Sequence, residues 1–183
     1  MKNLEENIQD TIWDVVVVGG GPSGMMAAGT AAMNGKKVLH LEKNDSLGKK
    51  LLITGGGRCN LTNAEFDLRK FLSNFKDSDK FLFSAFSQFS SKDTFDFFHK
   101  QNMETKLEAL GRVFPLSNSA QSVWDALLQY LKQNNVTIRS NQEVKRFEND
   151  GNQITSVVLK GTQKIQAKSF VLATGGKSRP ETG

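Results

Sequence analysis

The apolar positions change period along the chain, and the changes mark the elements. Residues 14–18 read Asp-Val-Val-Val-Val and run into three glycines, the pattern of a strand buried on both faces. Beyond them Met25, Met26, Ala27, Ala28, Ala31, Ala32 and Met33 predict a helix over 22–34. Pro22 suits its first turn and Gly35 its C-terminal cap. Residues 37–41 predict a second buried strand, ending at Glu42. Strand, helix and strand make a right-handed βαβ unit with parallel strands. Residues 1–12 are polar, without period, and read as a lead-in. Residues 43–63, rich in glycine and basic side chains, read as a long loop. Ten of the thirteen phenylalanines fall within 66–101 at helical spacings, so that stretch is expected to be helical and its rings to pack a core. Val123, Ala126, Leu127, Tyr130 and Leu131 predict an amphipathic helix over 119–134, followed by a short strand at 136–139. Strands at 143–148, 154–159 and 164–167, punctuated by Asp150, Gly151 and Gly161, predict a three-stranded antiparallel meander. A last buried strand, 169–174, enters Gly175 and Gly176.

The expected fold class is therefore α/β, with a parallel sheet, a largely helical insertion at 64–118 and a meander at 143–168. Composition narrows the setting. The 183 residues are 38% hydrophobic and 23% charged, suited to one ordinary globular domain. No apolar run approaches the roughly 20 residues of a membrane helix. Glu5, Glu6 and Asp10 do not fit a secretory signal. The single cysteine, Cys59, excludes a disulfide framework, an internal dithiol relay and a multi-cysteine zinc site. A reducing, cytoplasmic setting is the default expectation, and no metal is expected. The net charge of +5 suits an anionic ligand. Residues 35–60 carry six basic against two acidic residues, so the excess lies beside the glycines.

Gly19, Gly21 and Gly24 form a GxGxxG between the first strand and the first helix, and Glu42 follows Gly24 by 18 residues. Each position has a physical reason. Gly19 permits the tight turn, Gly21 lets a pyrophosphate approach the backbone, and Gly24 lets helix and strand pack closely. The helix N-terminus, at Pro22 and Ser23, offers free N–H groups and partial positive charge to phosphates. Glu42 can accept hydrogen bonds from ribose hydroxyls. NAD and FAD share this fingerprint, and the inserted meander before the last strand favours FAD over a plain NAD domain.

Three further motifs carry a resemblance: TGGGRCNLTN at 54–63, GRVFP at 111–115 and ATGGKS at 173–178. With them the chain resembles the two-dinucleotide-binding flavoproteins, and most closely the HI0933-like, or aminoacetone-oxidase-like, bacterial NAD(P)/FAD-dependent oxidoreductases, from residue 13 onward. The resemblance implies a Rossmann-like FAD-binding domain over 13–183. It implies that Gly19, Gly21, Pro22, Ser23 and Gly24 hold the FAD pyrophosphate and that Glu42 and Lys43 lie at the adenosine ribose. Thr54, Gly55, Gly56, Arg58, Cys59 and Asn60 would run along the pyrophosphate toward the flavin. The Val144 backbone would meet adenine, and Ala173, Thr174 and Gly175 would close over the ADP part. Relatives continue past the ATGGKS stretch, so this domain is expected to be incomplete and to associate with a missing C-terminal part. Arg179 stands where the family more often has an aromatic residue.

The residues also admit plainer roles. Cys59 reads first as a small packing residue. Arg58 reads as a phosphate ligand ahead of a loop brace, and Arg112 as evenly either a pocket or a pairing residue. His40 reads as packing and His99 as a surface residue, with no catalytic side chain assigned. The expected function is the FAD-binding part of a flavin-dependent oxidoreductase, passing hydride through the flavin N5 with NAD(P)H or an organic, small-molecule substrate as reductant. The alternative is an inactive fragment that keeps a nucleotide site. Nucleic-acid binding is disfavoured, since FAD phosphates account for the same basic residues.

Overall fold

The computed structural model describes residues 11–176. Residues 1–10 of the lead-in expected over 1–12, and the motif positions Lys177, Ser178 and Arg179, lie outside them, while Ile12, the last residue of that expected lead-in, already opens the first strand. In chain order the elements are β1 (Ile12–Val18), α1 (Pro22–Met33), β2 (Val38–Leu41), α2 (Lys49–Ile53), β3 (Thr62–Asn63), α3 (Leu68–Ser73), α4 (Asp79–Gln88), α5 (Ser91–Lys100), β4 (Thr105–Glu108), β5 (Arg112–Pro115), α6 (Ala120–Gln133), β6 (Thr137–Arg139), β7 (Val144–Asn149), β8 (Ile154–Leu159) and β9 (Lys164–Leu172). The chain divides into two compact units, Met1–Lys50 with Leu127–Gly183, and Leu51–Ala126. Among the described residues no helix is long and apolar enough to cross a membrane.

The first unit is built on a six-stranded sheet in the order β6-β2-β1-β9-β8-β7. β1 lies between β2 and β9 and runs parallel to both, and β2 runs parallel to β6. This is the Rossmann-like α/β arrangement that the strand–helix–strand pattern predicts. One apolar layer is made by Trp13, Val16, Val18, Leu39, Leu41, Val157, Leu159, Ile165 and Ala167. Each large side chain fully buried there contributes about 1.5–3 kcal/mol. Gly29 of α1 lies flat against the ring of Tyr130, leaving no room for a Cβ.

The sheet differs from expectation at its last strand. The strands expected at 164–167 and 169–174 are one, β9, which ends at Leu172. Its first residues pair antiparallel with β8, and from Gln166 onward it pairs parallel with β1. No glycine or proline interrupts 164–172, so the backbone continues while its neighbours change. The meander thus shares its third strand with the parallel sheet.

The second unit holds the expected helical insertion, with short strands added to it. The Phe-rich stretch is helical as expected, in three pieces, α3, α4 and α5. Asp67 caps α3 by accepting from the Arg69 and Lys70 amides, and Ser90 and Asp93 form a reciprocal capping box that opens α5. Phe71, Phe75 and Phe86 pack with centroids 5.0–5.9 Å apart, and Phe66 meets Phe95 edge-on at 5.6 Å. β3, β5 and β4 add a small antiparallel sheet within this unit. The expected loop at 43–63 also holds α2 and a 3₁₀ turn at Thr54–Gly57.

Candidate functional site

In the first unit, three segments far apart in sequence meet at the end of β1. The Gly19 amide donates to the Leu41 carbonyl at 2.9 Å, and the Ala173 amide to the Val18 carbonyl at 2.8 Å. Gly19 has φ +110° and lies against the Ala173–Thr174 peptide, where a Cβ would stand 2.9 Å from the Thr174 nitrogen. Only glycine satisfies both the dihedral and the contact. Gly24 is equally confined: a Cβ would strike the Gly19 carbonyl oxygen and lie 3.1 Å from His40 Nε2. The structure therefore joins the GxGxxG to the late ATG motif directly, with Gly24 bringing helix and strand together as its position in the fingerprint predicts.

Gly21 behaves differently. Its φ is −71°, and a Cβ there would meet nothing within 4 Å. Neither conformation nor internal packing requires glycine at this position. It caps α1, whose first turn has Pro22 but no side-chain cap and no acidic residue. The result is an open backbone surface at an uncapped helix N-terminus, suited to a phosphate. Pro22 and Ser23 are exposed beside it, as is Lys43. The Lys50 Nζ donates to the Gly176 carbonyl at 3.3 Å, which brings a cation to the late glycines.

Glu42 is buried, and its oxygens are already engaged. Oε2 accepts from the Gly20 amide at 2.6 Å, while Oε1 accepts from the Asn44 amide and Asn44 Nδ2 at 2.7 and 2.6 Å. A carboxylate offers about four acceptor positions. Three are used, so about one is left for a ribose hydroxyl. Val144 is half-buried on β7, an edge strand of the sheet. His40 is fully buried, with Nε2 2.9 Å from the Gly19 carbonyl and Nδ1 without a partner. Burial pushes its pKa down, outweighing the hydrogen bond to Gly19 and the nearby Glu42 charge. Sequence reasoning assigned His40 to packing and missed Asn44. The available signal was the two-residue spacing of His40 and Glu42, which puts both on one side of an extended chain.

The second unit holds the other glycine-rich stretch. Gly55, Gly56 and Gly57 have φ +55°, +67° and +82°, and Cys59 follows at +58°. The Thr54 hydroxyl donates to the Leu51 carbonyl at 2.7 Å, and the Cys59 amide to the Thr54 carbonyl at 3.1 Å. Cys59 is buried, and that burial pushes its thiol pKa up, so it packs as a neutral side chain. Arg58 lies over the Phe114 ring, 4.1 Å from its centroid, and its Nη1 donates to both Glu108 oxygens at 3.0 and 3.2 Å. Lys106 and then Arg58 hold the Glu108 carboxyl below the usual range. Arg58 is thus engaged by Glu108 and Phe114 within its own unit. With its amide oriented to suit its neighbours, Asn60 donates to the Val113 and Thr62 carbonyls, both at 3.0 Å. Arg112 reaches the Ala109 carbonyl and His99 reaches Thr105, each on its own surface.

The profile of the HI0933-like protein Rossmann domain matches residues 13–183. The ribosomal RNA dihydrouridine synthase of Escherichia coli (strain K12) is 32% identical over 171 residues, covering 93% of this chain and 41% of that protein. The 3-dehydro-bile acid delta(4,6)-reductase of Clostridium scindens is 32% identical over 169 residues, covering 91% and 40%. The chain thus spans about two-fifths of the length of these curated relatives. Among solved structures, 3-ketosteroid-delta4-(5alpha)-dehydrogenase from Rhodococcus jostii RHA1 superposes with a TM-score of 0.68 at 17% identity, covering 96% of this chain and 48% of that one.

Proposed function

The chain belongs to the HI0933-like Rossmann-domain family, and from that premise we propose that it is the FAD-binding part of a flavin-dependent oxidoreductase. The observation that carries the reading is Gly21, a glycine that neither packing nor dihedral requires, open to approach at an uncapped helix N-terminus. Gly19, Pro22, Ser23 and Gly24 complete the pyrophosphate cradle. Glu42 takes a ribose hydroxyl with its remaining acceptor position, and Lys43 lies at the adenosine edge. Ala173, Thr174 and Gly175 cover the ADP part, and the Val144 backbone meets adenine. For Thr54, Gly55, Gly56, Arg58, Cys59 and Asn60 the family resemblance implies a cofactor-binding role as well. Bound FAD supplies two-electron redox chemistry at its flavin ring, with NAD(P)H or an organic substrate as reductant. The protein's own part is to bind, orient and shield that ring.

A small-molecule substrate and a cytoplasmic setting complete the proposal. A second reading, with RNA as substrate, is favoured by the similarity to a ribosomal RNA dihydrouridine synthase. The first test is spectral. The purified protein should be yellow or take up FAD on reconstitution, and a colourless protein that takes up none overturns the proposal. Flavin-dependent oxidation of NADH or NADPH separates an active oxidoreductase from an inert nucleotide module. A salt-dependent gel shift with ribosomal RNA would support the second reading, and no shift at low salt would remove it.

A further inference from the structure

We infer that His40 is a positioning residue for the dinucleotide, acting with Glu42 to clamp the single peptide group between Gly19 and Gly20. The inference rests on the FAD reading and concerns a side chain not assigned to that site. His40 Nε2 lies 2.9 Å from the Gly19 carbonyl oxygen, and Glu42 Oε2 lies 2.6 Å from the Gly20 nitrogen. That carbonyl and that N–H belong to one planar unit. A carbonyl only accepts, so Nε2 carries the proton and donates it. One buried side chain therefore holds each edge of the same peptide plane.

The plane needs holding because glycines flank it. A rotation of the peptide changes ψ of Gly19 and φ of Gly20 together, and glycine resists neither change. Gly19 already sits at φ +110°. The Gly24 Cα rests on the Gly19 carbonyl, and a Cβ at Gly24 would also come within 3.1 Å of His40 Nε2. Ring, carbonyl and the first turn of α1 are thus stacked without spare room. The orientation of the clamped peptide fixes where the α1 N-terminus begins, and so where its N–H groups point.

The unpartnered Nδ1 supports the same assignment. An apolar side chain would fill this fully buried position with no orphaned atom. The bond from Nε2 to Gly19 explains why a polar ring stands there. The neutral ring leaves Nδ1 as a bare lone pair, whereas protonation would bury a charged N–H with no acceptor.

The test compares wild type with His40→Leu and His40→Gln. FAD affinity is measured by fluorescence quenching, and thermal unfolding is followed without FAD. The glutamine amide can donate from about where Nε2 stands, and leucine cannot. We expect about tenfold weaker FAD binding for His40→Leu, one charge-neutral hydrogen bond's worth, with His40→Gln recovering to within about threefold of wild type. Equal affinities for wild type and His40→Leu, or equal losses in both variants, overturn the clamp. Wild type that takes up no FAD overturns the FAD reading and the positioning role with it. Should His40→Leu fail to fold, ¹⁵N spectroscopy of the wild-type imidazole decides. A neutral ring protonated at Nε2 at pH 7 is expected, and the Nδ1–H tautomer or a cation overturns the proposal.

Discussion

The two glycine-rich stretches are glycine for opposite reasons. In the first unit Gly19, Gly20 and Gly24 are surrounded: a Cβ on Gly20 would come within 2.6 Å of Glu42 Oε2, and one on Gly24 would strike backbone. In the second unit a Cβ at Gly56 would meet nothing within 4 Å, and the residue is glycine because its φ is +67°. Packing confines Gly20 and Gly24, packing and dihedral together confine Gly19, and backbone conformation alone sets Gly56. Their polar groups differ in the same sense. Glu42 and His40 are buried and hold peptide groups, whereas Arg58 and Glu108 pair across a half-open surface with side-chain exposures of 37% and 25%. A packed turn transmits any disturbance to its neighbours, and an open one absorbs it.

The most severe break of this comparison is Gly24→Ala. The added methyl has no direction in which to relax, so a loss of about 3 kcal/mol of stability is expected in chemical denaturation. Unchanged stability would show that the first stretch is not set by packing. Gly21→Ser comes next. Serine is a good N-cap and meets no neighbour, so stability should stay within about 0.5 kcal/mol of wild type. FAD affinity should nevertheless fall about tenfold, or about 1.4 kcal/mol, because the side chain occupies the approach to the backbone. Binding titration alongside denaturation separates the two effects, and unchanged affinity would remove Gly21 from the cofactor surface.

In the second unit Gly56→Ala should cost about 1 kcal/mol, from dihedral strain alone. Gly56→Asn, which tolerates φ above zero, should cost less. Equal costs for alanine and asparagine in a melting series would point to a hidden contact. The smallest effect belongs to Glu108→Gln. Removing the charge opposite Arg58 and Lys106 at a partly exposed site should lower the melting temperature only slightly, and the difference should shrink in high salt. A larger, salt-independent cost would make this pair the counterpart of the buried network around Glu42.

The sequence was most legible where one pattern served one environment. The Val run, the three glycines and the Ala-Met helix gave β1 and α1 to within two residues, and 119–134 gave α6 almost to its ends. Legibility failed where the environment changes within an element or the element is too short to show a period. β9 is half meander and half parallel strand, and Lys168, two residues beyond the change of partner at Gln166, reads as a break. β4, Thr-Lys-Leu-Glu, has no alternation to betray it, and α2 is barely more than a turn. The Phe periodicity concealed two helix boundaries, although the Ser90–Asp93 capping box was readable three residues apart. At the site, the glycines of the fingerprint were legible because their requirements are steric and local. The engagements of Glu42, His40 and Arg58 were not, since a charged or polar residue's partner is chosen by tertiary proximity.

The double allegiance of β9 also has a consequence in time. Its pairing with β8 closes over a four-residue connection, while its pairing with β1 joins residues about 150 positions apart. Short closures are fast and long ones slow. The β8–β9 hairpin is thus the natural early structure, and β1 meets an edge whose register has already been chosen. The turn at Gly161 and Thr162 thus sets β9 against β8 first, and the β1–β9 register that brings Ala173 to Gly19 is the slow, long-range step.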